Sequence, residues 1–480
     1  MIGKDVYEMN LSRSRTRLAQ AMNHLLLLII LNISCGYVVH AYMRGIVMMG
    51  IMLLSTVMLL FFCVLLRVKE NDHDSSIRKF PKMLFDYCVS LLKDNRNAVI
   101  VYAAAVLLSS ISMLVNKNSL HFYLILWGMM GIGLMTMMVI GRDNVFRSFT
   151  NIMVFLAVYS MLTYFVYQIS PDMIKKFPLI INKAGGKAHN LFFSVVFPVN
   201  PGLVSRNYGL FWEPGAYQSF LNLALIFELF LMDRKHKLLN AILLYVAVQT
   251  TFSTAGIIVS NVIVLINLIS SIFSKQKGRA KSRNVIIALS LFLVFLSGLT
   301  WFYQAPRRYQ EAGYGKLIMQ FNNIVLPKTH EQQILSTDKS STEIISVENI
   351  KNDEELKKQV SKAGRFSAFL YPLNAFVSSP IVGVGFDKLT ALANDVGYRF
   401  NTFTPINWFA ENGVLFGLLL SLAFAGIILF TNLSIWIRIL LMIPLFATIV
   451  TEQYDRSAIF YIFLFSGLAP QRAFLKISEN

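Results

Sequence analysis

The chain has 480 residues, 55% of them hydrophobic and only 15% charged, and its mean hydropathy is +0.56. A soluble protein would carry about a quarter charged residues, so this composition excludes a soluble multidomain protein, a disordered chain and a disulfide scaffold. The net charge is +18. Because the charges lie between long apolar runs, they indicate membrane topology and contact with anionic lipid, and not a nucleic-acid partner.

Apolar runs of spanning length predict an all-α, polytopic membrane protein with about 12 transmembrane helices. The polar stretch before the first run carries no small-residue cleavage pattern, so we expect the first span to stay as an anchor. Ser253 to Gly256 interrupt one long run, which favours two spans there. The predicted spans are residues 23–42, 46–66, 98–116, 119–140, 149–168, 216–232, 239–253, 256–273, 285–302, 406–430, 437–451 and 457–469.

Positive charge predicts the orientation, because cytoplasmic loops carry an excess of Lys and Arg. This rule places both termini in the cytoplasm. Residues 1–302 then form nine spans with an outer loop at 169–215, residues 303–405 form a large outer loop, and residues 406–480 form three spans and a cytoplasmic tail. We expect amphipathic helices in the large loop, one of them an interfacial helix that begins near Gly364 and ends before Pro380.

Ionisable residues are rare within the predicted spans, which weighs against an ion-coupled transporter. Glu228 lies near the end of its span, and we expect it to reach the cytoplasmic surface. The cysteines Cys35, Cys63 and Cys88 lack metal-ligand spacing. Asp72 to Asp74 are expected in a solvated loop, so neither a metal site nor a cofactor is predicted.

Three polar stretches stand close to predicted points of membrane entry. In the first, Arg206, Tyr208, Trp212 and Glu213 precede Pro214, which is suited to the first turn of a helix. Glu213 is therefore expected near a helix N-terminus. The alternative is a simple helix cap beside a belt of interfacial aromatic residues.

The second stretch contains Arg365 and a Ser-Pro-x-x-Gly-x-Gly turn at Gly383 and Gly385. Glycines allow close backbone approach, and exposed N–H groups there would suit phosphate oxygens; the alternative is a plain turn. The third stretch places hydroxyl, amide and carboxylate groups where the chain re-enters the membrane, and the alternative is a polar cap on a span. Its candidate residues are Arg399, Thr402, Asn407, Trp408 and Glu411.

In these stretches the sequence resembles the superfamily of O-antigen polymerases (Wzy) and O-antigen ligases. The matching features are Arg206 before Glu213-Pro214, the Ser253–Gly256 break, Arg365 before the glycine turn, and Glu411 to Gly413 at the following span. The resemblance covers about residues 200–430, and the first five spans agree only in their hydropathy.

The resemblance implies an integral-membrane glycosyltransferase that acts without metal on glycans linked to undecaprenyl pyrophosphate. It implies a protein of the bacterial inner membrane with a site that faces the periplasm or exterior, and a chain-length regulator as a possible partner. Arg206 and Arg365 would hold the pyrophosphate, because guanidinium groups bind phosphate in a bidentate fork. Glu213 would orient or deprotonate the attacking hydroxyl. The expected substrate contacts are Tyr208, Trp212, Gly383, Gly385, Arg399, Thr402, Asn407, Trp408 and Glu411.

The chain departs from the family pattern at two places, and the first departure favours a polymerase of lipid-linked repeat units. Ligases often carry a histidine before the last motif, and residues 399–407 contain none. Family members commonly have an arginine after the serine of the span break, where this chain has Thr254 and Ala255. The alternatives are a ligase that transfers glycan to lipid A core, and a flippase or other transporter of lipid-linked glycan.

Overall fold

The computed structural model describes residues 2–42, 45–71, 80–181, 186–198, 205–272, 285–286, 289–290, 365–395, 404–450, 452–454 and 457–469. Within these ranges the chain is mostly helical. In chain order the helices are α1 (Ile2–Cys35), α2 (Tyr37–Tyr42), α3 (Gly45–Asn71), α4 (Phe80–Asp94), α5 (Arg96–Val115), α6 (Leu120–Ile140), α7 (Arg142–Ile169), α8 (Pro171–Lys175), α9 (Pro214–Ile226), α10 (Lys237–Thr250), α11 (Thr254–Ile272), α12 (Arg365–Ser378), α13 (Phe386–Asp395), α14 (Thr404–Leu429), α15 (Ile435–Val450) and α16 (Ala458–Ser466).

Six of the described helices are long and apolar enough to cross a membrane, which agrees with an all-helical, membrane-embedded protein. They are Arg17–Cys35, Arg96–Val115, Leu120–Ile140, Arg142–Ile169, Thr254–Ile272 and Thr404–Leu429. Four shorter apolar helices accompany them, namely Ile46–Phe62, Lys237–Thr250, Phe369–Ser378 and Ile435–Val450. The count of twelve spans and the orientation stay predictions, and most of the predicted span 285–302 lies outside the described residues.

Two boundaries between predicted spans can be compared with the structure. The long run over 239–273 is two helices, because α10 ends at Thr250 and α11 begins at Thr254. Phe252, between them, adopts a left-handed backbone conformation with φ of 49°. The helix α7 begins at Arg142, seven residues before the predicted span, because Gly141 (φ 80°) ends α6.

The loop predicted to be the first outer loop departs from the all-α prediction. It contains a three-stranded antiparallel sheet of β1 (Leu179–Ile181), β2 (Lys187–Asn190) and β3 (Val195–Val196), in that order. Leu179 pairs with His189, which also pairs with Val196. These strands are shorter than the runs from which periodicity can be detected, so the sequence alone did not indicate them.

The predicted span 406–430 is two helical segments. Gly413 has φ of 84° and ψ of 178°, which no helix contains. Trp408 and Phe424 both pack on the ring of Phe460, at centroid distances of 5.6 and 5.2 Å. Sixteen residues of straight helix would separate them by about 24 Å, so the first segment of α14 bends back towards the second.

The helix predicted before Pro380 is α12, which ends at Ser378 and contains Pro372. A short turn leads from it to α13. The earlier part of the large loop, residues 303–364, lies outside the described residues, and the interfacial position of α12 stays a prediction.

We predicted that Glu228 reaches the cytoplasmic surface, and this prediction is wrong. It is fully buried in the π-helical turn Phe227–Leu231 that extends α9. Arg234 Nη1 lies 3.6 Å from its Oε2, and Asn240 Nδ2 donates to its Oε1 at 3.2 Å. A buried carboxylate needs such partners because its desolvation is costly.

Candidate functional site

The Arg206 segment, residues 205–213, lies across the ends of several helices. Arg206 is half-buried, and its guanidinium donates from Nε to Thr251 O at 2.9 Å and from Nη2 to Phe252 O at 3.2 Å. These carbonyls follow the C-terminus of α10, where helices leave backbone acceptors without intrahelical partners. The predicted Arg206 and the predicted span break are therefore in direct contact.

Asn207 fixes the segment to two helices. Its Nδ2 donates to Ser160 Oγ at 3.0 Å and to Thr250 Oγ1 at 2.9 Å, and its Oδ1 accepts from Gly209 N at 3.0 Å. Ser160 stands nine residues before the end of α7 at Ile169, a rise of about 14 Å. The Arg206 segment is thus recessed from the end of α7, towards the interior of the helix bundle.

Glu213 stands at the N-terminus of a helix, as predicted. It is the N-cap residue of α9, with extended backbone (φ −149°, ψ 144°), and Pro214 occupies the first turn. Its carbonyl accepts from Tyr217 N at 3.1 Å, while its exposed carboxylate makes no capping hydrogen bond. The carboxylate therefore faces solvent at the positive end of a helix dipole.

The two aromatic residues of the segment are half-buried. Tyr208 packs on Phe197 with ring centroids 4.3 Å apart, and Trp212 packs against the core. Burial raises the pKa of the Tyr208 hydroxyl, while the charge of Arg206 lowers that pKa and the charge of Glu213 raises it. Both charges thus act at the same hydroxyl, and sugar stacking by these rings stays a prediction.

A narrow cleft of about 10 Å³ adjoins Arg206, which is room for about one water molecule. Its walls come from α7, β3 and the Arg206 segment, and they include Ser160, Thr163, Ser194 and Asn207. Ligand pockets usually measure about 300–1,000 Å³. A sugar would require this cleft to open.

The second and third predicted stretches meet each other. Gly383, with φ of +72°, lies so close to the backbone of Glu411 and Asn412 that a Cβ would overlap it. Gly413, at the bend of α14, is likewise packed against the backbone of Ile381. Because neither site admits a side chain, the glycine turn and the Glu-Asn-Gly stretch form one packed unit.

The backbone N–H groups of this turn are used within the protein. Gly383 N donates to Ser379 O at 2.9 Å, and Gly385 N donates to Glu411 O at 3.1 Å. Both N–H groups are therefore already bonded within the protein, and neither is available to bind phosphate as we expected. In this structure the glycines serve close packing, and a substrate contact at Gly383 or Gly385 stays a prediction.

The polar residues of α14 are buried. Asn407 is fully buried and Glu411 is 5% exposed. Trp408 is 1% exposed and packs on Phe460, which leaves no ring face open to a sugar. Its indole N–H is buried without a hydrogen-bond partner. The expected polar cap is thus a buried polar face inside the bundle.

Glu452 is a carboxylate that the sequence interpretation missed. It is 6% exposed, and a Cβ added at Gly215 would lie 2.5 Å from its Oε1. Its backbone carbonyl accepts from Thr404 Oγ1 at 2.6 Å. Glu452 therefore links the beginning of α9 to the beginning of α14. Its only sequence signal was a polar Glu-Gln-Tyr between two short apolar runs.

A row of amides on α9 was also missed, because the run reads as an ordinary apolar span. Gln218 and Asn222 are fully buried, and Asn222 Nδ2 donates to Gln218 Oε1 at 2.9 Å and to Gly256 O at 3.1 Å. Gly256 is close enough to Gln218 that a Cβ would overlap its side chain. The glycine of the predicted break thus permits contact between α9 and α11.

Three predicted residues cannot be placed. Arg365 begins α12, but its side chain is not among the described ones, and Arg399 and Thr402 lie outside the described residues. The pairing of Arg206 with Arg365 stays a prediction. Among the described residues, His, Cys, Asp and Glu side chains form no group of three that could hold a metal ion.

No known protein-family model matches the chain, and no curated protein matches it. The resemblance to O-antigen polymerases and ligases therefore rests on the motifs of this chain alone. The described part of the candidate site combines one anchored guanidinium, one exposed carboxylate and a buried polar interior. Such a combination suits the binding of an anionic group and the orientation of a hydroxyl.

Proposed function

We propose that this protein is a membrane-embedded polymerase of lipid-linked oligosaccharide repeat units. The observation that carries the proposal is the guanidinium of Arg206, which is anchored at the α10–α11 break and whose charge acts, like that of Glu213, on the Tyr208 hydroxyl. A cation fixed near the low-dielectric part of a membrane binds a phosphate strongly. A polyprenyl pyrophosphate would bring its diphosphate to this depth while its hydrocarbon chain stays in the lipid.

The packed unit of glycine turn and bent helix supports the same proposal. The motifs that carry the resemblance are far apart in sequence, yet Gly383 and Glu411 are in backbone contact, and so are Arg206 and Phe252. Each pair of motifs thus lies together in the fold, as a shared site would require.

In the proposed reaction, a sugar hydroxyl of one lipid-linked repeat attacks the anomeric carbon of the growing glycan. The bond from that carbon to the pyrophosphate oxygen breaks, and negative charge grows on the leaving group. Arg206, with Arg365 as the predicted second cation, stabilises that charge. Glu213 orients the hydroxyl or accepts its proton.

The test is chain growth by purified protein on lipid-linked repeat units in proteoliposomes. We expect Arg206→Ala to reduce polymer formation by at least about 100-fold, the effect of losing one charge-stabilising donor. Arg206→Lys should retain more activity than Arg206→Ala but less than the wild type, because Lys cannot form the bidentate fork. Lys187→Ala removes an exposed cation from the same outer loop and should have no effect.

Full polymerisation by folded Arg206→Ala protein would reject the assignment of this site. If wild-type protein transfers polymer only to a lipid A core acceptor, it is a ligase. Thermal unfolding of each variant separates loss of activity from loss of fold.

A second candidate function is transport of lipid-linked glycan, and the buried carboxylates favour it. Glu228, Glu411 and Glu452 are all buried, and buried ionisable groups in membrane helices often mark transport pathways. A transporter would move labelled lipid-linked repeat between leaflets without forming a glycosidic bond. Polymer formation with no accelerated leaflet exchange would exclude this function.

A further inference from the structure

The turn between β2 and β3, residues 191–194, displays two aromatic side chains that the core does not bury. Phe192 is 78% exposed and Phe193 is 37% exposed. Phe192 has φ of +62°, a left-handed conformation that Gly or Asn adopts at lower cost than a bulky residue. The backbone of the turn thus projects a large apolar side chain outward despite strain.

The position of this turn along α7 gives its depth. The Phe193 ring lies 5.3 Å from the Phe155 ring and 5.7 Å from the Tyr159 ring. Phe155 is halfway along α7, which has 28 residues and is therefore about 42 Å long. The hydrocarbon core of a bilayer is about 30 Å thick. If α7 crosses it, the middle of α7 lies inside the hydrocarbon wherever the helix ends are placed.

The turn also lies on the apolar face that α7 turns outward. Exposed apolar side chains recur along α7 at alternating spacings of three and four residues, which is the pattern of one helix face. They are Phe155, Val158, Leu162, Phe165 and Ile169. Because Phe193 packs on the first of these, the turn is continuous with the lipid-facing surface of the helix.

The two ends of the turn, Leu191 and Ser194, are paired and shielded by the protein. Leu191 N donates to Ser194 O and Phe193 N donates to Leu191 O, both at 2.8 Å. Tyr159 Oη donates to Leu191 O at 2.8 Å, and Thr163 Oγ1 donates to Ser194 Oγ at 2.9 Å. Leu191 and Ser194 are themselves buried. Non-helical backbone is tolerated at membrane depth where protein pairs and shields it, and the ends of this turn meet that condition.

We propose that the Phe192–Phe193 turn is an aromatic wedge that inserts into the hydrocarbon of the bilayer beside α7. Bilayer lipid is the occupant, because the turn continues the lipid-facing stripe. Charge agrees with this placement: Lys187 is exposed at the far end of β2, four residues or about 13 Å from the turn. From there the long Lys187 side chain can carry its ammonium to the polar edge of the hydrocarbon, about 15 Å from its middle. The proposal does not depend on the catalytic function.

The test is spin-label accessibility in the full-length protein reconstituted in nanodiscs of mixed neutral and anionic phospholipid. The background carries Cys63→Ser and Cys88→Ser and keeps Cys35, which is fully buried. The label is attached at Phe192→Cys. Leu162→Cys on α7 provides a lipid-facing standard, and Asp172→Cys on α8, where the side chain is 85% exposed, provides a water-facing standard.

We expect the Phe192→Cys label to collide more with oxygen than with a water-soluble nickel chelate, as at Leu162→Cys and opposite to Asp172→Cys. A nickel accessibility equal to that of Asp172→Cys would overturn the proposal. So would inaccessibility to both reagents, or spin–spin coupling between copies, since either would mean that protein covers the turn. If Phe192→Cys does not fold, Phe193→Cys reports on the same turn by the same criteria.

Discussion

Gly383 occupies a place that admits a hydrogen atom and no side chain. Its φ is +72°, and an added Cβ would overlap the carbonyl group of Glu411 and the N of Asn412. We expect Gly383→Ala to destabilise the protein by at least about 1–2 kcal/mol, the cost of placing a non-glycine residue in left-handed conformation. The packing overlap adds to this cost, since backbone atoms cannot move aside.

The measurement is the midpoint of thermal unfolding in detergent. Gly50→Ala is the matched control, because nothing lies within 4 Å of a Cβ at Gly50 in α3, and Ala at a helix interior is favoured by about 0.5–1 kcal/mol. The control should therefore unfold at the same temperature or higher. An unchanged midpoint for Gly383→Ala would contradict the packed unit of turn and bent helix.

At the scale of elements, the connection from α9 to α10 depends on a buried ion pair. The Arg234 side chain is 15% exposed and that of Glu228 is fully buried, with Nη1 and Oε2 3.6 Å apart. Arg234 also donates to Asn151 Oδ1 at 2.6 Å and to Arg147 O at 3.0 Å. One residue thus links α7 to the end of α9.

We expect Arg234→Met alone to destabilise the protein by about 3–5 kcal/mol, because it leaves a buried carboxylate without its cation. In a Glu228→Gln background the same substitution should cost clearly less, since no charge is then left unpaired. Thermal unfolding of the four proteins of this double-mutant cycle gives the coupling. Equal costs in both backgrounds would mean that Glu228 and Arg234 do not interact.

The exposed pair of α8 provides the comparison. Lys175 Nζ lies 2.7 Å from Asp172 Oδ1, and both side chains are largely exposed. Surface pairs of this kind contribute little to stability. Lys175→Met should leave the unfolding midpoint unchanged, which would show that the effect at Arg234 comes from burial.

Hydrophobic runs predicted the helices well where one run corresponds to one straight helix. The predicted 119–140 became Leu120–Ile140, and the break at Ser253 was placed within three residues of the end of α10. Hydrophobic runs did not predict the path of the backbone where contacts from elsewhere in the chain determine it. The bend at Gly413 depends on the turn at Gly383, which local hydropathy cannot indicate.

The same limit applies to the candidate site. Arg206 and Glu213 were found because a polar residue before an apolar run is conspicuous. Asn222 and Glu452 were missed because the first lies inside an apolar run and the second follows one. Their contacts with Gly256 and Gly215 come from other segments of the chain. Buried polar pairing of this kind is a tertiary property.

At the scale of the whole molecule, the orientation in the membrane decides which solution reaches Arg206. The C-terminal ends of α7 and α10, on the side of the Arg206 segment, belong to the predicted exterior, and the turn that holds Arg234 and Lys235 belongs to the predicted cytoplasmic side. A reversed protein would present Arg206 to the cytoplasm. The proposed substrate, in the outer leaflet, would then be out of reach.

Cysteine labelling in intact cells tests this orientation with the whole chain. In the Cys63→Ser, Cys88→Ser background, an impermeant maleimide should label Asp172→Cys from outside and Lys235→Cys only after the membrane is permeabilised. Both positions are exposed, so a difference in labelling reports the side of the membrane and not burial.

Lys388→Cys on α13, also exposed, should be labelled from outside. The helix α11 begins at the Arg206 segment, on the predicted outer side, and therefore ends on the cytoplasmic side at Ile272. If Lys388→Cys is labelled from outside, the chain must cross the membrane an odd number of times between Ile272 and α12. Labelling of Lys235→Cys in intact cells would show that the orientation is opposite to the predicted one, and it would contradict the proposal of a polymerase on the outer side.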